Sequence, residues 1–187
     1  MSSSIRSFIS FDIDDEKVLD EIVRVQRMLA ETGANLKLVE PENIHITMRF
    51  LGNISEPMID LIHREMERIK FTPFEVEVRG VGAFPNLRHI RVVWAGVQKG
   101  SVELNRIFNE LEPHLRRLGF RPDQKGFTPH ITIARVRTGR NRAELARCIG
   151  RLANHEFGII TVRCLRLKKS TLTPKGPMYE TMREVCR

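Results

Sequence analysis

Alternation of apolar and polar residues marks the first regular segment of the chain. Across residues 5–13, apolar side chains dominate one set of alternate positions, and the other set holds Arg6, Phe8, Ser10 and Asp12. A period of two residues is typical of a β-strand with one packed face and one wetter face. Phe8 is the aromatic exception on the wetter face. It is either a platform for a ligand ring or a ring that a neighbouring loop covers.

Four other segments repeat their apolar residues at helical spacing. The first follows Asp14 or Asp15, either of which can cap it, and ends at Gly33; the second opens at Ser55. A third helix ends near Gly119, and a fourth covers residues 142–152. The buried stripes of the first three are predicted to be Val18, Ile22, Val25 and Leu29; Met58, Ile59, Ile62, Met66 and Ile69; and Val102, Ile107, Phe108, Leu111 and Leu115.

Short alternating runs bounded by turn residues fill the rest of the chain and predict antiparallel strands. An extended piece covers residues 36–39, and two strands cover residues 74–81 and 90–95, joined by a loop that contains residues 83–86. Three later strands are predicted over residues 156–167, 168–173 and 179–184. Helices mixed with antiparallel strands place the chain in the α+β class.

The tripeptide His-x-Thr occurs twice, each time in a strand-like apolar run, as His45 to Thr47 and as His130 to Thr132. Residues two apart on a strand share a face, so each imidazole is expected beside a threonine hydroxyl. The apolar positions predicted for the opposite, packed face are Ile44, Ile46, Met48, Phe50, Ile131 and Ile133. The copies lie 85 residues apart, and each falls between two predicted helices. We therefore expect residues 1–187 to form one domain of two pseudo-symmetric lobes.

Charge and cysteine content narrow the setting. The chain has 31 Lys and Arg against 23 Asp and Glu, a net charge of +8, which favours an anionic partner such as RNA or a phosphorylated molecule over a membrane. A basic balance that serves only solubility is the alternative. Cys148, Cys164 and Cys186 are odd in number and lack paired spacing, which argues against a disulfide framework or a zinc site. The chain has neither a bilayer-spanning run nor a signal-peptide pattern, and we expect it in the cytoplasm.

Two imidazoles and two hydroxyls suit displacement at phosphorus. One neutral imidazole can accept the proton of the incoming oxygen while the second, protonated, donates to the leaving oxygen. The stiff threonine side chains can donate to the non-bridging oxygens. A single His-x-Thr is more often structural, and it is the duplication that favours catalysis. A metal site is the competing use of paired histidines, but neither motif carries a nearby acidic or thiol ligand on its polar face.

Three segments together resemble the signatures of the 2H phosphoesterases, most closely the RNA 2′,3′-cyclic phosphodiesterases, also called 2′-5′ RNA ligases. These segments are 43–52 (NIHITMRFLG), 128–135 (TPHITIAR) and 170–179 (STLTPKGPMY). The resemblance implies a bilobal α+β fold, with two antiparallel sheets flanking a central groove and helices outside. It also implies opening of RNA 2′,3′-cyclic phosphate ends, tRNA fragments among them, to 2′-phosphomonoesters by a monomer that needs no metal or other cofactor, with 2′-5′ ligation as the reverse reaction.

The resemblance also implies roles for individual residues. His45 would be the proton donor and His130 the proton acceptor, while Thr47, Thr132 and Arg135 would bind the phosphate. Regular strand parity would put Arg135 on the packed side and Arg49 on the His45 side, so either a bulge near Ala134 turns Arg135 inward or Arg49 replaces it. Phe8 matches a position that stacks on the terminal base, and Ser170 and Tyr179 would line the groove or brace the last sheet.

Two alternatives to this reaction remain open at the level of sequence. In the first alternative, the groove binds an RNA end or a tRNA without turnover. In the second, the chain is a relative that acts on 2′-5′ oligonucleotides or on an ADP-ribose cyclic phosphate. Turnover of a defined cyclic-phosphate end separates the first alternative from the enzyme.

Overall fold

A computed structural model describes residues 4–124, 126–174 and 176–187 of the chain. Lys125 and Lys175, which belong to the predicted loop and the third motif segment, lie outside the described residues, as do residues 1–3. Within the described part the chain forms four α-helices and nine strands, which confirms the α+β class. The helices are α1 (Glu16–Ala30), α2 (Glu56–Glu67), α3 (Ser101–Arg117) and α4 (Arg142–Arg151). The strands are β1 (Ile5–Asp12), β2 (Leu36–Leu38), β3 (His45–Ile54), β4 (Phe74–Asn86), β5 (His89–Val97), β6 (His130–Val136), β7 (Glu156–Val162), β8 (Cys164–Thr173) and β9 (Gly176–Cys186).

All strand pairs are antiparallel, in the order β7-β4-β5-β6-β3-β1-β8-β9, with β2 paired to β6. We call β1, β3, β8 and β9 the first half-sheet, and β2 with β4 to β7 the second half-sheet. The two meet where β3 pairs with β6, and Ile46 opposite Ile131 is the registered pair there. The two sheets that flank the groove are therefore joined at one narrow seam, and this seam brings the two His-x-Thr strands side by side.

The helices cover the convex side, but not in chain order. Helix α1 packs against α4 and against β7 of the second half-sheet, whereas α2 and α3 pack against the first half-sheet. Helix α1 begins where the Asp15 carboxylate accepts a hydrogen bond from the Val18 amide at 3.0 Å. Its predicted stripe of Val18, Ile22, Val25 and Leu29 is fully buried. None of these four helices is long and apolar enough to cross a lipid bilayer.

Several predicted boundaries were wrong. Strand β4 continues through residues 83–86, which were predicted as a loop, because these residues pair with β5 up to the turn at residues 87–88. The break predicted before Lys168 lies instead at Arg163, and Val102 is exposed on the outer side of α3.

The expectation that the cysteines form no disulfide was also wrong for one pair. Cys164 and Cys186 are joined by a disulfide, because the β8–β9 register puts them directly opposite each other with their Cα atoms 4.0 Å apart. Cys148 is free and buried under α1.

Candidate active site

The concave side of the seam forms a groove of about 800 Å³. Both His-x-Thr strands face it, because Ile46 and Ile131 point into the core and leave His45, Thr47, His130 and Thr132 on the opposite face. The Ile46–Ile131 register places His45 opposite Thr132 and Thr47 opposite His130. The two imidazoles therefore lie on one diagonal of a small square and the two hydroxyls on the other. A group at its centre is reached by an imidazole from each side.

Backbone carbonyl groups fix the tautomer of both rings. Nδ1 of His45 lies 2.7 Å from the carbonyl oxygen of Asn43, and Nδ1 of His130 lies 2.7 Å from that of Thr128. A carbonyl oxygen only accepts, so Nδ1 carries the hydrogen in both rings and Nε2 is left for chemistry. Nε2 of His45 is 2.8 Å from Oγ1 of Thr47.

Burial sets the charge balance of the two rings. Burial lowers the pKa of His45. The Asn43 carbonyl and the nearby Asp12 carboxylate act in the opposite direction and offset part of this effect. Burial also lowers the pKa of His130, and the positive charge of Arg135 lowers it further. The net shift of the pKa is downward in both rings, and a neutral His130 ring has the free electron pair that a general base needs.

A bulge directly after each threonine determines which residue faces the groove next. In β6, Thr132 pairs with Trp94 and Ala134 with Val93, so Ile133 is an extra residue without a partner on β5. This is the irregularity expected near Ala134. It turns Arg135 to the groove side, where Arg135 lines the cavity.

Strand β3 has the same bulge at Met48, because Thr47 pairs with Ser10 and Arg49 with Ile9. The bulge reverses the parity predicted for residues 49 and 50, and a second extra residue, Leu51, lies between the Phe8–Phe50 and Ser7–Gly52 pairs. Phe50 was predicted on the packed face, but it is 61% exposed and lines the groove beside Thr47. The two motif strands thus present equivalent triplets: His45, Thr47 and Phe50 in β3, and His130, Thr132 and Arg135 in β6.

The same parity change places Arg49, the reserve candidate for the phosphate ligand, outside the described residues that line the groove. Its guanidinium forms an ion pair with the largely buried Glu112 of α3 and donates to the carbonyl oxygens of Phe50 and Arg121. Glu112 also accepts from the amide of Asp123 at 3.2 Å. Arg49 therefore anchors the loop that leads towards the second motif strand.

Phe8 is not an exposed stacking platform, because its ring is only 3% exposed. The ring centroid lies 5.0 Å from that of His45 and 4.9 Å from that of Tyr179, and Phe50 packs beside it at 6.2 Å. Phe8 therefore supports the His45 ring from below. Among the described aromatic residues that line the groove, Phe50 has the most exposed side chain.

Tyr179 and Ser170 have different placements. Tyr179 lines the groove and packs edge-on against His45 at 5.4 Å, and burial raises the pKa of its phenol. Ser170 is its register partner on β8 and lies outside the residues that line the cavity. On the other side of the groove, Phe84 packs edge-on against His130 at 4.9 Å. Each imidazole thus has an aromatic edge against it.

Two residues that line the groove were not predicted as site residues. Lys37 is the register partner of Arg135 and adds a second cation to that wall. Asn43 is buried, and its side chain donates to the Pro177 carbonyl at 3.0 Å, which ties the start of β9 to the residues directly before β3. Lys37 belongs to the extended piece at residues 36–39 and Asn43 to the motif segment 43–52, but neither pattern indicated that its side chain would line the groove.

Metal-ligating groups cluster elsewhere. Within residues 4–124, 126–174 and 176–187, the one set of three close donors is Cys164, Glu184 and Cys186 at the end of the β8–β9 pair. Its two cysteines form the disulfide and cannot ligate a metal as thiolates.

Comparison with known proteins gives consistent matches along most of the chain. The family model described as LigT like Phosphoesterase matches residues 13–94 and 96–179. A protein of Aeropyrum pernix named RNA 2′,3′-cyclic phosphodiesterase is 42% identical over 168 residues, which are 90% of this chain and 96% of the relative. One of the same name from Methanothermobacter thermautotrophicus is 39% identical over 180 residues, with 95% and 96% covered. The crystal structure of TT0787 of Thermus thermophilus superposes with a TM-score of 0.77 at 27% identity, with 97% of each chain covered.

Proposed function

The chain belongs to the LigT-like phosphoesterase family, and from that membership we propose that it hydrolyses RNA 2′,3′-cyclic phosphate ends to 2′-phosphomonoesters. The observation that carries the proposal is the diagonal arrangement of His45 and His130, each with Nδ1 committed to a carbonyl oxygen. The relatives that cover most of the chain bear the name of this activity.

The reaction uses the two imidazoles on opposite sides of the phosphorus. Nε2 of His130 takes a proton from water as the water oxygen forms a bond to phosphorus. The bond from phosphorus to the ribose 3′ oxygen breaks, and Nε2 of protonated His45 gives its proton to that oxygen. The 2′ oxygen keeps its bond to phosphorus, so the product is a 2′-phosphomonoester. When the 5′-hydroxyl of a second RNA replaces water as the nucleophile, its proton goes to His130, its oxygen forms a bond to phosphorus, and the 3′ oxygen leaves with a proton from His45, which gives a 2′-5′ linkage.

The remaining groove residues bind the charge. Thr47 and Thr132 donate to the non-bridging oxygens, and Arg135 offers a planar pair of N–H groups on the same wall. Phe50 takes the stacking role that the family resemblance assigns to Phe8, because its ring is the exposed one. The strained five-membered ring fixes the leaving oxygen, so positioned donors and two imidazoles suffice without a metal.

The test is incubation with an oligonucleotide that ends in a 2′,3′-cyclic phosphate, in excess EDTA, followed by identification of the product. We expect a 2′-phosphomonoester from the wild type, and a loss of about 10²- to 10⁴-fold in kcat for His45→Ala and for His130→Ala. His89→Ala is the matched control, because His89 starts β5 at an exposed position, and it should retain full activity.

Each alternative has its own outcome in this experiment. Tight binding of the cyclic end without any product would identify an RNA-end binding module. Turnover of a 2′-5′ oligonucleotide but not of the cyclic end would identify the related activity, and loss of turnover in EDTA would contradict the metal-independent reaction. Full activity in either histidine variant would overturn the assignment of roles.

A further inference from the structure

A partly buried ionic network lies beside His45 on the concave face of the first half-sheet. Asp12 accepts hydrogen bonds from Nζ of Lys168 at 2.5 Å and from Oγ of Ser10 at 3.1 Å, and Nη1 of Arg166 lies 3.0 Å from it. The Lys168 side chain is only 9% exposed, although lysine is rarely buried. Because removing charges from water is costly, the network is not by itself evidence of a gain in stability.

The register of the sheet puts the carboxylate next to the imidazole. Asp12 of β1 is the register partner of His45, and Ser10 is the partner of Thr47. Directly opposed residues of an antiparallel pair share a face, with Cβ atoms about 4.5–5.5 Å apart. Strand β8 lies on the far side of β1, so Lys168 and Arg166 are one strand further from the ring. The nearest charge of the network to His45 is therefore the negative one.

The matching position beside His130 has no charge at all. There the register partner of the histidine is Gly96, and the partner of Thr132 is Trp94. The motif strands carry the same bulge and the same His-x-Thr, so the difference between the two rings comes from the adjacent strand. One imidazole has a fixed carboxylate as its neighbour, and the other has a glycine.

We propose that Asp12, oriented by Ser10, Lys168 and Arg166, is a positioning residue that stabilises the protonated, proton-donating form of His45. This inference rests on the proposed function and assigns the acid role to a structural cause. Asp12 acts through the imidazole and does not touch the phosphate. Lys168 and Arg166 keep the carboxylate ionised and fixed in direction, and they limit its effect on the ring.

The charged and titratable groups around His45 come from four elements. They are Asp12 on β1, Lys168 on β8, His130 on β6 and Tyr179 on β9. Asp12 acts to raise the pKa of His45, whereas Lys168 and His130 act to lower it. Burial acts to raise the pKa of Asp12, but the hydrogen bond and charge of Lys168, the charge of Arg166 and the hydrogen bond from Ser10 lower it overall, so Asp12 remains a carboxylate through the neutral range.

The decisive experiment is an NMR titration of the His45 ring in the full chain without substrate, with signals assigned by comparison with His45→Ala. Asp12→Asn should lower the pKa of His45 by about one unit, the low end of the effect of a charge within about 4–6 Å. Lys168→Met should raise it, because the carboxylate then acts uncompensated. Asp60→Asn, which removes the carboxylate of an exposed ion pair with Arg183, is the control and should leave it unchanged.

Opposite shifts in two folded variants cannot come from general loosening of the structure. The alkaline limb of the kcat profile should move to lower pH in Asp12→Asn and return in Asp12→Glu, which restores the charge. Equal titration of His45 in wild type and both variants, or shifts in the same direction, would overturn the inference. The NMR titration does not depend on turnover. A wild type that fails to hydrolyse the RNA end would therefore refute the proposed function, while the effect of Asp12 on the pKa of His45 could still be measured.

Discussion

Gln26 of α1 offers a direct test of the bulge that turns Arg135 into the groove. Its side chain is 4% exposed, and Nε2 donates to the carbonyl oxygens of Val39 and Ile133, both at 2.8 Å. Ile133 is the extra residue of the β6 bulge, so Gln26 satisfies a carbonyl at the point where the strand departs from regular pairing. Gln26→Met keeps the length of the side chain and removes both hydrogen bonds.

The expected loss of stability follows from the two bonds. Each buried bond contributes about 0.5–1.5 kcal/mol, and an acceptor left without a partner costs about 1–3 kcal/mol. The Ile133 carbonyl keeps the bond from the Val39 amide at 3.0 Å, so the Val39 carbonyl bears most of this cost. After the gain from burying a methionine, we expect a loss of about 2–3 kcal/mol in the free energy of unfolding.

Urea unfolding and steady-state kinetics on the same samples measure the two consequences. Under conditions where Gln26→Met is folded, the KM for the cyclic-phosphate end should rise, because the bulge that directs Arg135 loses one of its two hydrogen bonds at the Ile133 carbonyl. Gln98→Met, at an exposed position before α3, is the control and should change stability by less than about 0.5 kcal/mol. A Gln26→Met variant with wild-type stability and wild-type KM would refute the reasoning.

Two further predictions concern other charged residues. Arg135→Gln should lower kcat/KM about 10- to 100-fold with little change in stability towards urea. Arg49→Gln should chiefly lower stability, because it leaves Glu112 buried without its cation. Equal losses of kcat/KM in the two variants would contradict these separate roles. The hydrogen bond from His114 lowers the pKa of Glu65 in the folded protein. The ionised Glu65 therefore contributes its full stabilisation above the unfolded pKa of about 4.3. This contribution is lost as the pH falls through the lower folded pKa. Glu65→Gln should therefore flatten the acid end of the stability profile, and an unchanged profile in urea titrations would count against this linkage.

The sequence predicted those features that depend on regular periodicity. The α1 stripe and the packed positions Ile46 and Ile131 are buried where a period of 3.6 or two residues puts them. The placement of His45 and His130 on the open face follows from the same rule. A period of two residues predicts the face of a side chain only where the strand has no bulge. This limit explains the wrong faces predicted for Phe50 and Arg49.

One extra residue changes the side to which every later residue in a strand points. The bulge at Met48 is the reason that Phe50 faces the groove and Arg49 does not. No residue in this segment is a glycine or proline that would mark a bulge before Gly52. The error for Phe8 has another cause, because alternation gives the face of a side chain but not the rings of Tyr179 and His45 that cover it.

Long-range pairing was the second source of error. The disulfide between Cys164 and Cys186 depends on the β8–β9 register, which spacing along the chain does not reveal. The crossed packing of α1 on the second half-sheet is likewise invisible in the order of elements. The residues of the network around Asp12 come from both β1 and β8. Lys168 could therefore not be assigned as the partner of Asp12 from the sequence of either strand alone.

The difference between the two imidazoles is built into the backbone as well as the side chains. A side chain at Gly96, the register partner of His130, would bring its Cβ within 2.6 Å of the Arg79 carbonyl oxygen. Real Cβ atoms do not approach so closely, so this position cannot carry a carboxylate without moving β4. The first half-sheet has room for Asp12 at the matching place. The two halves therefore share a motif and a bulge, but only the half that carries His45 can support a carboxylate beside its histidine.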